Sequence, residues 1–177
     1  MKRSWCVIIG SGLTLLLASA ANAQTPRPVY DVRIFGAKGD GESLDTQALQ
    51  KTMDECSAAG GGVVYFSPGI YKAGTLHLRD NTTLYLDPGA ELRQSKEMKD
   101  YAVTAKDCFV HITGSKYVFL HGHGVRNVTI TGGGRINGNM ALDEDGSRGP
   151  LTILFEHSKD ILLENITVEY APGWSIT

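Results

Sequence analysis

The chain has 177 residues, of which 42% are hydrophobic and 20% charged, an ordinary balance for a folded globular chain. Glycine is in excess: 21 of 177 is about 12%, against roughly 7% on average, but six prolines and no Gly-X-Y period exclude collagen, and abundant Val, Ile, Leu and Thr exclude a disordered chain. Seventeen basic and nineteen acidic residues give a net charge of −2, which leaves no basic footprint for nucleic acid.

The first residues have the layout of a secretory signal peptide. Lys2 and Arg3 precede an apolar run from Trp5 to Leu17, and Ala21-Asn22-Ala23 supplies small residues at the cleavage positions. The run is shorter than the ~20 residues of a membrane span and is broken by Gly10, Ser11 and Gly12. Residues 1–23 are therefore expected to be a signal removed on secretion or export to a periplasm, and residues 24–29 a short linker. Loss of Lys2 and Arg3 leaves a charge of −4, and loss of Cys6 leaves Cys56 and Cys108. An oxidising compartment permits a disulfide between them. Cys56, however, falls on the apolar stripe of a predicted helix, and the two are expected to be unpaired.

Tyr30 to Phe35 alternates as a strand and is followed by a glycine-rich turn, Gly36 to Gly41. Asp45 can cap a helix in which Ala48, Leu49, Met53 and Cys56 repeat at helical spacing, ended by Gly60-Gly61-Gly62. Thereafter the period is two. Val63 to Phe66 is an apolar strand; Leu76 with Leu78, Leu84 with Leu86, and Ala90 with Leu92 share faces, between turns at Ser67-Pro68-Gly69, Asp80-Asn81 and Asp87-Pro88-Gly89. Gln94 to Asp107 is more charged and reads as a surface excursion. Further strands are expected at Phe109–Thr113, Tyr117–His121, Val128–Thr131, Leu151–Phe155, Ile161–Leu163 and Ile166–Val168.

Asn or Asp stands just before an apolar strand at Asn81, Asn127 and Asp160, the last two 33 residues apart, a spacing typical of solenoid repeats. In stacked coils each turn is tight, and Asn, Asp and Gly tolerate the left-handed backbone such turns need. A β-sandwich is the alternative, but it predicts regular hairpins, and the Asn-Gly hairpin signal occurs only at Asn137-Gly138.

Several ordered blocks carry a resemblance to a known family. Tyr30-Asp31-Val32-Arg33-Ile34-Phe35-Gly36-Ala37-Lys38-Gly39-Asp40-Gly41, with Asp45-Thr46, looks like the N-terminal segment shared by right-handed parallel β-helix pectin enzymes, epimerases and phage tailspikes. Gly60 to Phe66, Gly74-Thr75-Leu76-His77-Leu78, Leu84-Tyr85-Leu86, Asn127 to Ile130, Gly134 to Gly138 and Ala171-Pro172-Gly173-Trp174 narrow this to the polygalacturonase family of glycoside hydrolases. The resemblance spans residues 30–177. It implies an all-β, right-handed parallel β-helix with one N-terminal capping helix, ending before the central coils. It implies inverting hydrolysis of galacturonosyl linkages in polygalacturonan or rhamnogalacturonan, with pectic polysaccharide as partner, no cofactor, and a monomer when full length. Alternatives are a non-catalytic, polysaccharide-binding or adhesive β-helix module, and a pectate lyase or epimerase, which would need Ca²⁺ carboxylates and a basic proton abstractor.

Inverting hydrolysis needs an acid at the leaving oxygen and a carboxylate that activates water on the opposite face. The family places these in Asn-Thr-Asp, Asp-Asp, Gly-His-Gly and Arg-Ile-Lys motifs after the aromatic that matches Trp174. This chain has no Asn-Thr-Asp and no Asp-Asp. Gly122-His123-Gly124 and Arg135-Ile136-Asn137 are spelled too early, so no catalytic residue is assigned and the chain as given is expected to be inactive. Gly122-His123-Gly124 is read as a turn between coils. His121 and His123 share a strand face, but with no third ligand suggested, no metal site is expected. Asp143, Glu144 and Asp145 read as a solvated loop, and Trp174 as a packing residue. Lys72, Arg79, Arg93 and Arg148 could meet an anionic polymer but read as scattered surface cations. The Asn-x-Thr sequences at Asn81, Asn127 and Asn165 read as turn chemistry rather than glycosylation sites.

Overall fold

In a computed structural model of the protein, residues 27–103, 115–142, 146, 148–173 and 175–177 are described. The signal segment, the acidic run 143–145, Cys108, Trp174 and the strand expected at Phe109–Thr113 lie outside them. Among the described residues no helix is long and apolar enough to cross a membrane.

The strands recur in a fixed order, each coil visiting three sheets in turn. β1 (Val29–Asp31), β3 (Gly62–Phe66), β6 (Thr82–Leu86), β9 (Arg126–Thr131) and β12 (Lys159–Leu163) stack as the first sheet. β2 (Asp40–Leu44), β4 (Gly69–Ala73), β7 (Ala90–Gln94), β10 (Arg135–Asn137) and β13 (Thr167–Glu169) form the second. β5 (Leu76–His77), β8 (Val118–His123) and β11 (Leu151–Glu156) form the third, and Ile176 bridges Ile153 to extend it. Every pairing between these strands is parallel. Parallel strands joined by short connections through other sheets make a coil rather than a sandwich, and this is the parallel β-helix.

The core is the inside of the coil. Val64, Leu84, Ile130 and Leu163 are stacked by the register of the first sheet, Tyr71, Leu92, Ile136 and Val168 by that of the second, and Leu76, Leu120 and Ile153 by that of the third. Most of these are fully buried, each contributing about 1.5–3 kcal/mol of apolar burial.

The helix α1 (Thr46–Ala58) buries Leu49, Thr52, Met53 and Cys56 against this core. Cys56 is a free, buried cysteine whose thiol is pushed up by burial. Asp45 stands at the N-cap position, yet its carboxylate accepts the backbone N–H groups of Lys38 and Gly39 and does not bond the helix. The helix also completes a sheet. Gln50 donates to the carbonyl of His77 at 3.0 Å and accepts its N–H at 2.8 Å, supplying both partners to β5, the edge strand.

Three sequence expectations are revised. The strand expected at Tyr30–Phe35 ends at Asp31, where the carboxylate accepts the Arg33 N–H and turns the chain, leaving Ile34 exposed. The glycine-rich turn after it runs into β2, which begins at Asp40 and Gly41 and whose polar residues carry no hydrophobic alternation but pair with β4. The excursion after Gln94 begins packed: Gln94, Ser95 and Tyr101 are buried, and the Tyr101 hydroxyl donates to the Ser95 carbonyl at 2.6 Å.

Candidate functional site

Among the described residues, the outer face of the third sheet gathers a cluster of titratable side chains. Leu76, Leu120 and Ile153 lie in register and point into the core. A strand's side chains alternate, so the next residues, His77, His121 and Leu154, face outward, and two positions further His123 stands opposite Glu156. Ring centroids run His77–His121 at 5.7 Å, His121–His123 at 6.1 Å and His123–His157 at 5.6 Å, so four of the chain's five histidines form one row.

Glu156 is the centre of this row. Its Oε2 lies 2.8 Å from His121 Nε2 and 3.6 Å from His123 Nδ1. His121 and Glu156 are mostly buried, whereas the His123 side chain is 64% exposed. The Nδ1 atom of His121 is buried and has no hydrogen-bond partner among the described residues. The turns that carry His123 and Glu156 are tied together: the Gly124 N–H donates to the Glu156 carbonyl at 2.8 Å, and the Ser158 hydroxyl donates to the Gly122 carbonyl at 3.1 Å. Burial, followed by the neighbouring His121 and Arg79, holds the His77 imidazole below its ordinary pKa. Beside it opens a cavity of about 350 Å³ lined by Ser57, His77, Arg79, Asp80, His121 and His123, among others.

The family model for rhamnogalacturonase A/epimerase, pectate lyase-like proteins matches residues 29–174. The chain belongs to that family. An exo-poly-α-D-galacturonosidase of Dickeya chrysanthemi is 32% identical over 146 residues, which is 74% of this chain and 24% of the relative. A polygalacturonase-type relative from Vitis vinifera is 28% identical over 80% of this chain and 32% of its own length. The chain thus spans about a quarter to a third of these curated relatives. Among solved structures, a family 28 exopolygalacturonase from Yersinia enterocolitica superposes with a TM-score of 0.66 at 24% identity, covering 81% of this chain and 35% of that one. That likeness bears out the right-handed parallel β-helix.

Within this pectate lyase-like frame the residues read from sequence fall as follows. Gly122-His123-Gly124 closes β8 and turns into β9, with Gly124 at a φ of +68°. Gly122 must lack a side chain, because a Cβ there would sit 2.5 Å from the Phe155 ring. Arg79 is paired with Asp54 at 2.7 Å, and Arg93 with Glu91. Lys72 lies on β4, in register with Arg93, on a different sheet from the histidine row. Arg135 meets Glu169 at 3.3 Å.

Glu156 was missed by sequence reasoning. The signal was present: it lies 33 residues after His123, the interval already visible between Asn127 and Asp160. Applying that interval to His123 would have found it.

Proposed function

We propose that this chain forms the N-terminal coils of a secreted polygalacturonase-type glycoside hydrolase that cleaves galacturonosyl linkages in pectin with inversion. The observation that carries the reading is the ordered match to the Dickeya chrysanthemi exo-poly-α-D-galacturonosidase across 74% of the chain, within a family shown by residues 29–174. Residues 1–23 direct secretion and residues 24–29 link the signal to the β-helix. The acid and base that inversion requires, roughly 6.5–9.5 Å apart, come from coils that follow Thr177, because the motifs that hold them in the family are absent from this sequence. Residues 24–177 alone are accordingly inactive, while the whole protein acts as a monomer without a cofactor.

Reducing-sugar release from polygalacturonate and from rhamnogalacturonan tests the reading. Full-length protein should release sugar from one of them, with the new reducing end first appearing in the inverted anomer by NMR, and purified residues 24–177 should release none. Full-length protein that binds either polymer without cutting it would instead support the non-catalytic module. A mature N-terminus other than Gln24 would overturn the cleavage site.

A further inference from the structure

We propose that His121, His123 and Glu156 form a binding site for a divalent cation of the zinc type, clamping two successive coils together. The proposal stands apart from the hydrolase reading and needs no catalysis.

A His-x-His pair on a strand places two imidazoles on one face, and here the parallel register of β8 and β11 adds a carboxylate from the next coil. One donor atom from each of the three residues lies within 4.8 Å of the others. Tetrahedral zinc holds imidazole nitrogen and carboxylate oxygen at ~2.0–2.2 Å, which puts neighbouring donor atoms roughly 3.3–3.6 Å apart. The pair at 3.6 Å already meets that separation, the pair at 2.8 Å must open slightly, and the remaining pair must close by about 1.5 Å at most. Rotation of the exposed His123 ring supplies such a movement.

The donor set selects the ion. Two imidazoles and one carboxylate suit zinc and its borderline neighbours, whereas calcium and magnesium take nearly all-oxygen shells. Burial is graded across the site, from His121 at the protein side to His123 at the solvent side, so an ion has a route in and retains a position for water.

A purely structural pairing of His121 with Glu156 explains less. That pairing does not account for the buried His121 Nδ1, which has no partner among the described residues under either reading. Nor does that pairing account for His123, whose Nδ1 turns toward the same carboxylate oxygen from an exposed position. Arg79, the nearest cation lining the adjoining cavity, is neutralised by Asp54 and does not oppose a bound ion.

The test is calorimetric titration of ZnCl₂ into tag-free full-length protein previously stripped with a chelator. One zinc per chain at micromolar affinity or tighter is expected, unaffected by excess Ca²⁺. Co²⁺ should give a visible ligand-field spectrum at the same stoichiometry. His123→Ala, on an exposed ring, should weaken zinc at least tenfold with an unchanged circular dichroism spectrum; Glu156→Gln should do the same. Absence of saturable one-to-one binding overturns the proposal, and so does zinc binding that survives His123→Ala unchanged.

Discussion

The side-chain amide of Asn127 donates to the side-chain carbonyl of Asn81 at 3.0 Å, and both residues are left-handed, at φ of +54° and +59°. They occupy equivalent positions in successive coils, Asn81 immediately before β6 and Asn127 at the start of β9. Asp160 continues the column at +57° at the start of β12, and Gly61 precedes it at +111° just before β3. The corner that turns each coil into the first sheet is thus built four times from residues that accept this backbone. Where two asparagines meet, the amide adds a rung between coils.

Replacing Asn127 separates the two contributions. Asn127→Ala loses the rung and leaves a β-carbon in the left-handed region without the polar side chain that lets Asn tolerate it, costing about 1–2 kcal/mol. Asn127→Gly loses only the rung and should cost about half as much. Urea midpoints of the two variants measure the difference; equal losses would show that the backbone conformation contributes nothing.

Gly60 and Gly61 offer the same comparison for space. Both are left-handed, at +96° and +111°, but a Cβ on Gly60 meets nothing within 4 Å, whereas one on Gly61 would lie 2.4 Å from the backbone oxygen of Asn81. Gly60→Ala is expected to cost about 1–2 kcal/mol from strain alone. Gly61→Ala should cost a further ~1–3 kcal/mol, because the opposing atom belongs to the backbone of the next coil and cannot rotate away. Thermal unfolding of the two single variants checks the order.

Much of this corner was legible beforehand, because Asn and Asp before apolar strands are a local signal with a local cause. So were the inward leucines of β5, β6 and β7, whose alternation registers burial directly. What escaped was whatever the register between coils decides. β2 is a strand because β4 lies beside it, not because Asp40, Gly41 and Glu42 favour extension. The coil interval is also not constant: Gly62 pairs with Thr82, Thr83 with Thr129, and Lys159 with Arg126, since residues between β7 and β8 lengthen one coil. Glu156 joins the histidines through the pairing of β8 with β11, where the 33-residue interval does hold, so its position was legible once that interval was applied to His123.

Asp40 gives an acid-side prediction. Its carboxylate accepts the backbone N–H groups of Ser43 and Glu42 and the Ser43 hydroxyl, and these bonds, the Ser43 amide foremost, hold its pKa down to about 2 from 3.8. A depressed carboxyl contributes stability that is complete above its unfolded value and is lost as pH falls through the folded one. The contribution should therefore fade between about pH 4 and pH 2. Carboxyl-carbon NMR should show Asp40 titrating near 2, and Asp40→Asn should flatten that part of the stability profile. A midpoint near 4 would refute the assignment.

Tyr65 gives the alkaline counterpart. Its hydroxyl donates to Asp87 Oδ2 at 2.6 Å, a bond that only the protonated phenol can make. That bond first, then burial and the charge of Asp87, push the phenol up to about 12 from 10.0. Because the folded value is raised, the contribution to stability is complete below pH 10 and disappears as pH rises toward 12. Phenolate absorbance separates this group from the other tyrosines when wild type is compared with Tyr65→Phe. The difference curve should have its midpoint near 12, and Asp87→Asn should move it back toward 10, because the amide neither carries the charge nor demands the proton. A difference curve centred at 10 in the wild type would mean that the phenol and Asp87 are not bonded in solution, and the turn at Asp87-Pro88-Gly89 would then be held by its backbone alone.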